Sequence, residues 1–125
     1  MLFGSAADRE STRAVQQRAM HRIVDLAGKT DLREAIALIA RCDLFISNDS
    51  GLMHVAAALG IPTVAIFGST NTVTTAPVGE KTIIVRKEVA CSPCLKKTCP
   101  RDFACMDGIT VGDVTAAAEE LLCQS

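Results

Sequence analysis

Tryptophan and tyrosine are absent from the sequence, and four phenylalanines make up its whole aromatic content. The side chains that stack best on unpaired bases are therefore missing. The chain also lacks a surplus of positive charge, because 13 basic residues stand against 14 acidic ones. Binding to a nucleic-acid backbone depends on such a surplus. These two shortages argue against nucleic acid as a partner.

Long apolar runs are missing as well. The longest, residues 55–67, is interrupted by Gly60 and Pro62 and is shorter than the roughly 20 residues that span a bilayer. No charged segment followed by an apolar one opens the chain, so we expect no export signal. In such a chain, six cysteines are expected to be thiols or metal ligands rather than disulfides.

Apolar runs and helical patterns alternate along the chain. Short apolar runs predict strands at residues 1–3, 23–26, 43–47, 63–67 and 82–85. Helical patterns predict helices at residues 6–21, 31–40 and 52–59 and from about 110 onward. The alternation predicts an α/β fold, a Rossmann-like doubly wound parallel sheet. With 125 residues, of which 49% are hydrophobic, the chain is expected to form one domain, residues 1–125.

Local signals also predict where helices begin and which faces they bury. Three pairs have the spacing of helix caps: Ser5 with Asp8, Asp31 with Glu34, and Thr110 with Asp113. Apolar spacing predicts buried faces at residues 32, 35, 36, 39 and 40 of one helix and 111, 114, 117 and 121 of the last. The uninterrupted run Leu44-Phe45-Ile46 predicts a strand that is covered on both faces.

Four short polar turns follow the predicted strands. They are residues 4–5, 28–31, 48–51 and 68–71. In a doubly wound sheet, ligands bind beyond the carboxyl ends of the strands, where such turns converge. The sequence therefore predicts the ligand site at these turns.

The turn at residues 48–51 carries the strongest chemical signal. It belongs to S-N-D-S-G-L-M-H, residues 47–54, between a predicted strand and an alanine-rich helix. A helix N-terminus offers unpaired amide groups and a partial positive charge, so it binds phosphate without a basic side chain. Gly51 lets an anion approach the backbone, and Asp49 is better suited to accept hydrogen bonds from sugar hydroxyls. Two structural alternatives remain: Asp49 or Ser50 only caps the helix, and His54 is a core histidine.

Residues 44–68 contain S-N-D-S-G-L-M-H, A-A-A-L-G-I-P and V-A-I-F-G-S-T. These motifs resemble the C-terminal domain of the ADP-heptose:lipopolysaccharide heptosyltransferases, glycosyltransferase family 9, and are most similar to its heptosyltransferase II members. The resemblance extends to F-G-S-A-A-D-R-E at residues 3–10, L-A-G-K-T-D-L at 26–32 and C-S-P-C-L-K-K-T-C-P at 91–100. It therefore covers nearly the whole chain.

The resemblance implies roles for the residues of the 47–54 segment. The backbone amides of Ser50 and Gly51 would hold the donor diphosphate. Asp49 would contact the heptose hydroxyls, and His54 would support that arrangement. Earlier in the chain, Glu10 would lie near the nucleoside.

The same resemblance implies that the turn of Gly28 and Lys29 lies at the edge of the adenine ring. It also implies one half of a GT-B glycosyltransferase, whose two Rossmann-like domains face each other across a cleft. This half would bind ADP-heptose, and the heptose would pass to the lipopolysaccharide inner core with no cofactor required. The family's acceptor domain, with its general-base carboxylate, and the first strand of the donor domain, with a basic residue, have no counterpart here. We therefore expect no transfer by residues 1–125 alone. The implied location is cytoplasmic, with peripheral attachment to the inner membrane as an alternative.

Cys91, Cys94, Cys99 and Cys105 have C-x2-C-x4-C-x5-C spacing. The first pair has a separation that suits a structural zinc site, and a loop with little apolar material would be stabilised by one. Reduced thiols in a surface loop, or disulfides formed during purification, are the alternatives. An iron–sulfur cluster is disfavoured because the spacing lacks the tight triple run of ferredoxins.

Other classes of protein remain as alternatives. Transferases or epimerases that use uridine nucleotides usually carry an acidic pair after the phosphate turn, where this chain has Val55-Ala56-Ala57. A flavodoxin-like signalling module would need acidic residues where Gly4-Ser5 stands. A zinc- or thiol-dependent interaction module built on the cysteine loop would be recognised by its zinc content.

Overall fold

Backbone contacts divide the chain into two units, Met1–Leu38 and a second that begins at Ile39. The computed structural model of the chain describes residues 1–124. No helix within this range is long and apolar enough to cross a bilayer.

The first unit contains a short 3-10 helix (Ala6–Asp8) and helix α1 (Arg9–Arg18), and helix α2 (Leu32–Ile39) reaches its boundary. The two strands predicted at residues 1–3 and 23–26 are reduced to one parallel bridge between Leu2 and Asp25. Two hydrogen bonds frame that bridge, from Leu2 N to Val24 O at 2.8 Å and from Leu26 N to Leu2 O at 2.9 Å.

The second unit contains the sheet. Its elements are β1 (Phe45–Asn48), α3 (Gly51–Ala58), β2 (Thr63–Phe67), α4 (Thr72–Thr75), β3 (Thr82–Arg86), α5 (Ala104–Asp107) and α6 (Val111–Cys123). The three strands are parallel in the order β1-β2-β3. Phe45 is aligned with Thr63, and Thr63 with Thr82.

Helices pack on both faces of the central strand β2, whose successive side chains point to opposite sides of the sheet. On one side Ala65 and Phe67 pack with Met53 of α3. On the other side Val64 packs in a core cluster that includes Leu121 of α6. Burying a side chain such as Val64 or Leu121 contributes about 1.5–3 kcal/mol. The predicted doubly wound α/β arrangement is therefore confirmed for this unit.

The three predicted capping pairs are confirmed. Ser5 with Asp8 and Thr110 with Asp113 form reciprocal capping boxes at the starts of the 3-10 helix and of α6. At the start of α2, Asp31 N donates to the Glu34 carboxylate at 2.8 Å, and Glu34 N donates to the Asp31 carboxylate at the same distance.

Several details differ from the predictions. Helix α1 ends at Arg18 rather than near residue 21, because Ala19 has an extended backbone. Ile46 of β1 is 49% exposed, so this strand is not covered on both faces. Leu32 is 64% and Val111 84% exposed, because each stands in the first turn of its helix, outside the packed face. Ala40 is also exposed.

Candidate functional site

The carboxyl ends of β1 and β2 form one edge of the sheet. The two strands are parallel neighbours, and Asn48, the last residue of β1, is aligned with Ile66. Strand β2 ends at Phe67, and the polar turn of residues 68–71 follows it. In a parallel α/β sheet, this edge is where ligands bind. Two of the four predicted polar turns, 48–51 and 68–71, therefore lie side by side.

Helix α3 begins at this edge without a side-chain cap. Ser50 is its N-cap residue, with φ −152° and ψ 163°, and no side-chain hydrogen bond caps the helix. The Ser50 hydroxyl lies instead 3.0 Å from the Ser47 hydroxyl. The first amides of a helix have few partners within it. Met53 N donates to Ser50 O at 3.2 Å, whereas the amides of Ser50 and Gly51 have no acceptor among residues 1–124 and remain open to a ligand. The alternative that Ser50 caps the helix through its side chain is wrong.

Gly51 and Asp49 flank that helix start. A Cβ built on Gly51 would meet no other atom within 4 Å, so the backbone faces open space there. Asp49 is partly buried, and its carboxylate makes no hydrogen bond or salt bridge with residues 1–124. It does not cap α3. An unpaired carboxylate beside free amides can accept hydrogen bonds from a hydroxylated ligand.

His54 lies in the first turn of α3 and is exposed. The buried residues of this helix are Met53, Ala56 and Ala57, which face the sheet. The alternative that His54 is a core histidine is therefore wrong. The imidazole ring of His54 therefore lies on the solvent-exposed side of α3.

In the first unit, a second predicted turn is shaped by Gly28. Its φ is +65°, in the left-handed region that favours glycine, and its N–H donates to Gly4 O at 2.9 Å. A Cβ at this position would lie 2.9 Å from the Cα of Ala6. The turn and the segment before α1 therefore touch through their backbones.

Arg9, which the sequence reasoning missed, ties α1 to the same turn. Its guanidinium donates to Ala27 O at 3.4 Å and to Gly28 O at 3.3 Å. Glu10 is the next residue and is exposed, and its side chain has no hydrogen-bond or salt-bridge partner among residues 1–124. The structure thus brings the start of the helix that carries Glu10 against the turn of Gly28. Nothing in the sequence pairs Arg9 with carbonyls that lie 18 and 19 residues away.

Asp25 and Lys29 stabilise the turn around Gly28 through hydrogen bonds. The Asp25 carboxylate accepts hydrogen bonds from Ala27 N and from the Thr12 hydroxyl, each at 3.0 Å. The bond from the Ala27 amide is the main reason that the pKa of Asp25 is lowered. The Lys29 ammonium donates to the Asp25 carbonyl at 2.9 Å. Lys29 therefore folds back onto its own turn, although it remains exposed.

A cavity of about 240 Å³ opens at the carboxyl edge of the sheet in the second unit. One wall contains Asn48, Asp49 and the turn after β2, and the other is residues 91–106, which we call the cysteine loop. Two hydrogen bonds hold the loop there, from Ser92 Oγ to Gly68 O and from Leu95 N to Ser69 O, each 2.9 Å long. The cysteine spacing indicated a zinc site, free thiols or disulfides, and no signal in the sequence predicts that this loop forms a wall of the candidate site.

The four loop cysteines, Cys91, Cys94, Cys99 and Cys105, all line this cavity, and all are free thiols. Over residues 1–124, however, no three histidine, cysteine or acidic side chains come together in a way that could hold a metal ion. The zinc site suggested by the cysteine spacing is therefore not formed in the structure. The loop keeps its place through the hydrogen bonds to the turn after β2.

A three-stranded parallel sheet, helices on both faces and polar turns at its carboxyl edge define a Rossmann-like α/β domain. A family model described as glycosyltransferase family 9 (heptosyltransferase) matches residues 1–104. The chain belongs to this family, as the sequence motifs indicated.

Individual proteins show the same relationship. The chain is 45% identical over 89 residues to lipooligosaccharide heptosyltransferase 2 of Haemophilus influenzae, an alignment that covers 68% of this chain and 26% of that protein. The structure of E. coli ADP-heptose lps heptosyltransferase II matches with a TM-score of 0.82 and 34% identity, over 98% of this chain and 36% of the other. The family 9 glycosyl transferase of Veillonella parvula matches with a TM-score of 0.87 and 30% identity, over the same shares. The chain thus spans about a quarter of the length of the Haemophilus influenzae protein, because the alignment covers 26% of it.

Proposed function

We propose that this chain is the donor-binding part of a glycosyltransferase that moves heptose from ADP-heptose to the inner core of lipopolysaccharide. One observation carries the proposal: the uncapped N-terminus of α3 lies beside the unpaired carboxylate of Asp49. The family and its heptosyltransferase relatives support it. The acceptor would be held by a further domain, and the reaction would take place in the cytoplasm.

In this proposal the diphosphate of the donor sits at the start of α3. The amides of Ser50 and Gly51 donate to its oxygens, and the positive end of the helix dipole favours its charge. Gly51 suits this role because no protein atom fills the space beside its Cα. A side chain there would occupy the volume that the phosphate needs.

Asp49 would select the sugar. Its carboxylate cannot bind the diphosphate, because two negative groups repel each other, but it can accept hydrogen bonds from two adjacent hydroxyls. His54, on the exposed side of the same helix turn, would support the donor from the solvent side. Glu10 and the turn of Gly28 and Lys29 remain predicted contacts of the adenosine.

The reaction proposed for the intact enzyme is an inverting displacement at the anomeric carbon. A hydroxyl of the acceptor forms the new bond as the bond to the diphosphate breaks, and ADP departs with the bonding electron pair. The proton of that hydroxyl would pass to the general-base carboxylate that the resemblance places in the acceptor domain. Negative charge therefore grows on the diphosphate in the transition state. Amides that already point at that position stabilise the charge without having to reorganise, which is a large source of rate acceleration.

Calorimetric titration of the chain with ADP and with UDP tests the nucleotide assignment. Because residues 1–125 match only about a quarter of the length of the Haemophilus influenzae relative, we expect this chain to bind ADP weakly, and UDP at least about tenfold more weakly, a difference of about 1.4 kcal/mol. Equal affinities, or tighter binding of UDP, would contradict the assignment of adenine.

A further inference from the structure

Three basic side chains of the cysteine loop line the 240 Å³ cavity: Lys96, Lys97 and Arg101. Within residues 1–124, none of the three forms a salt bridge. By contrast, Arg86 pairs with Glu88, and Lys87 with Asp113. The cavity therefore holds three cationic groups whose charge is not balanced by a direct partner.

Two carboxylates, Asp49 and Asp102, line the same cavity, so cationic groups outnumber acidic ones. Neither carboxylate lies within salt-bridge distance of a basic side chain in the described part of the chain. The basic and acidic side chains of the cavity therefore form no ion pairs with one another. Such a lining attracts an anion that reaches the lysines and leaves the acids to hydroxyl or amide donors.

The backbone fixes the position of the lysines. Leu95 adopts φ +57°, a left-handed conformation that costs free energy for a residue with a Cβ. Its N–H donates to Ser69 O at 2.9 Å, so this left-handed turn is held against the turn that follows β2. The next two residues, Lys96 and Lys97, line the cavity because this turn holds the backbone beside it.

Thr70 has a buried hydroxyl without an acceptor, as does Thr82, but only Thr70 of these two lines the cavity. Its Oγ1 has no hydrogen-bond partner among the described residues. Buried hydroxyls in folded proteins nearly always have a partner, and an unpaired one costs free energy. Because Oγ1 is already buried, a bound oxyanion would supply this acceptor only after the turn of residues 68–71 opens to admit it.

We propose that this cavity binds a phosphoryl group between the cationic groups of the cysteine loop and the turn that carries Thr70. Lys96, Lys97 and Arg101 provide the charge, and the Thr70 hydroxyl provides a neutral donor. The inference rests on the proposed function only for the identity of the molecule that carries the phosphate. That molecule is either the donor, through its diphosphate, or a phosphorylated acceptor.

An NMR titration of the isotope-labelled chain with inorganic pyrophosphate tests the site. We expect shifts at the amides of residues 95–101 and a dissociation constant that rises about tenfold in the double variant Lys96→Gln/Lys97→Gln. Lys81→Gln is the matched control, because Lys81 is exposed and lies outside the cavity. Affinity for pyrophosphate that differs less than about twofold between the double variant and the wild type would overturn the inference.

A second variant separates binding from folding. Thr70→Val removes a buried hydroxyl that has no partner, so the variant should melt no earlier than the wild type while its pyrophosphate affinity falls about threefold or more. Thr70→Ser keeps the hydroxyl and should restore the affinity. Unchanged affinity in Thr70→Val would remove Thr70 from the site and overturn that part of the inference.

Repeating the pyrophosphate titration with saturating ADP identifies the source of the phosphate. Loss of the pyrophosphate-induced shifts at residues 95–101 when ADP is bound supports the donor diphosphate, and persistence of those shifts supports an acceptor phosphate. If ADP does not bind but pyrophosphate still depends on the two lysines, the nucleotide assignment fails and the phosphoryl site stands. If ADP binds and the lysines do not matter, the phosphoryl site alone fails.

Discussion

The hydroxyl of Ser92 donates a hydrogen bond to the carbonyl oxygen of Gly68 over 2.9 Å. This bond joins the cysteine loop to the first residue after β2, so the loop becomes a wall of the cavity at the carboxyl edge of the sheet. Gly68 also allows a close approach, because a Cβ there would lie 2.5 Å from the sulfur of Met106. The candidate site therefore depends on two segments that are 24 residues apart in sequence.

Ser92→Ala should loosen this wall. The variant loses a partly buried hydrogen bond, so we expect the free energy of unfolding to fall by about 1 kcal/mol in urea denaturation. Ser11→Ala, on the exposed surface of α1, is the control and should change stability by less than about 0.5 kcal/mol. Equal effects of the two substitutions would mean that the bond does not hold the loop.

Gly51→Ala separates ligand binding from folding at the start of α3. A methyl group at Gly51 would meet no protein atom, so stability should change by less than about 0.5 kcal/mol, while ADP binding measured by calorimetry weakens about tenfold. Gly112→Ala is the matched control, because Gly112 also lies in the first turn of a helix, and its nearest neighbour would be 3.6 Å away. Undiminished ADP binding by Gly51→Ala would show that no anion lies against this backbone.

The second unit was largely predictable because its signals are local. The β-branched and apolar run at residues 63–67 predicts a strand with the same bounds as β2. Thr110 and Asp113 predict the start of α6 because the cap requires only residues three positions apart. The segment of residues 47–54 likewise falls at the end of β1 and the start of α3.

Tertiary contacts set what the sequence could not predict. Ile46 stands in an apolar run, but 49% of it remains exposed, because periodicity does not say which strand is covered. Leu2 and Asp25 form one bridge instead of two strands, since the length of a ladder depends on its neighbours as well as on composition. The cysteine loop reaches the site through Ser92 and Gly68, and no spacing rule connects those two residues.

Gly28→Ala should be more damaging than Gly60→Ala. Both glycines have positive φ, +65° and +72°, so each substitution has the conformational cost of about 1 kcal/mol. At Gly28 the new Cβ would also lie 2.9 Å from the Cα of Ala6, whereas at Gly60 it would meet nothing within 4 Å. We therefore expect Gly28→Ala to lower the free energy of unfolding by at least about 2 kcal/mol. Similar losses in the two variants, measured by urea denaturation, would contradict the close contact.

Asp113 should make the start of α6 sensitive to acid. The Thr110 amide, followed by the Thr110 hydroxyl and Lys87, donates to the Asp113 carboxylate and lowers its pKa below the ordinary 3.8. A carboxyl whose pKa is lower in the folded state contributes stability that is fully present above pH 3.8 and is lost as the pH falls through the lowered pKa. Asp113→Asn should therefore melt earlier than the wild type at pH 7, and the difference should shrink below pH 3.8. Glu119→Gln, an exposed change on the same helix, should melt like the wild type at pH 7. A difference between Asp113→Asn and the wild type that stays constant with pH would contradict this account.

In the proposed donor complex, the start of α3 binds the diphosphate and Asp49 selects the attached sugar. Calorimetry of Asp49→Ala with ADP-heptose and with ADP tests it most directly, with Asp43→Ala, an exposed change before β1, as the control. We predict that the affinity for ADP-heptose falls about tenfold or more, while the affinity for ADP stays within about twofold of the wild type. If both ligands lose affinity equally, Asp49 holds the turn rather than the sugar, and the account of donor recognition is wrong.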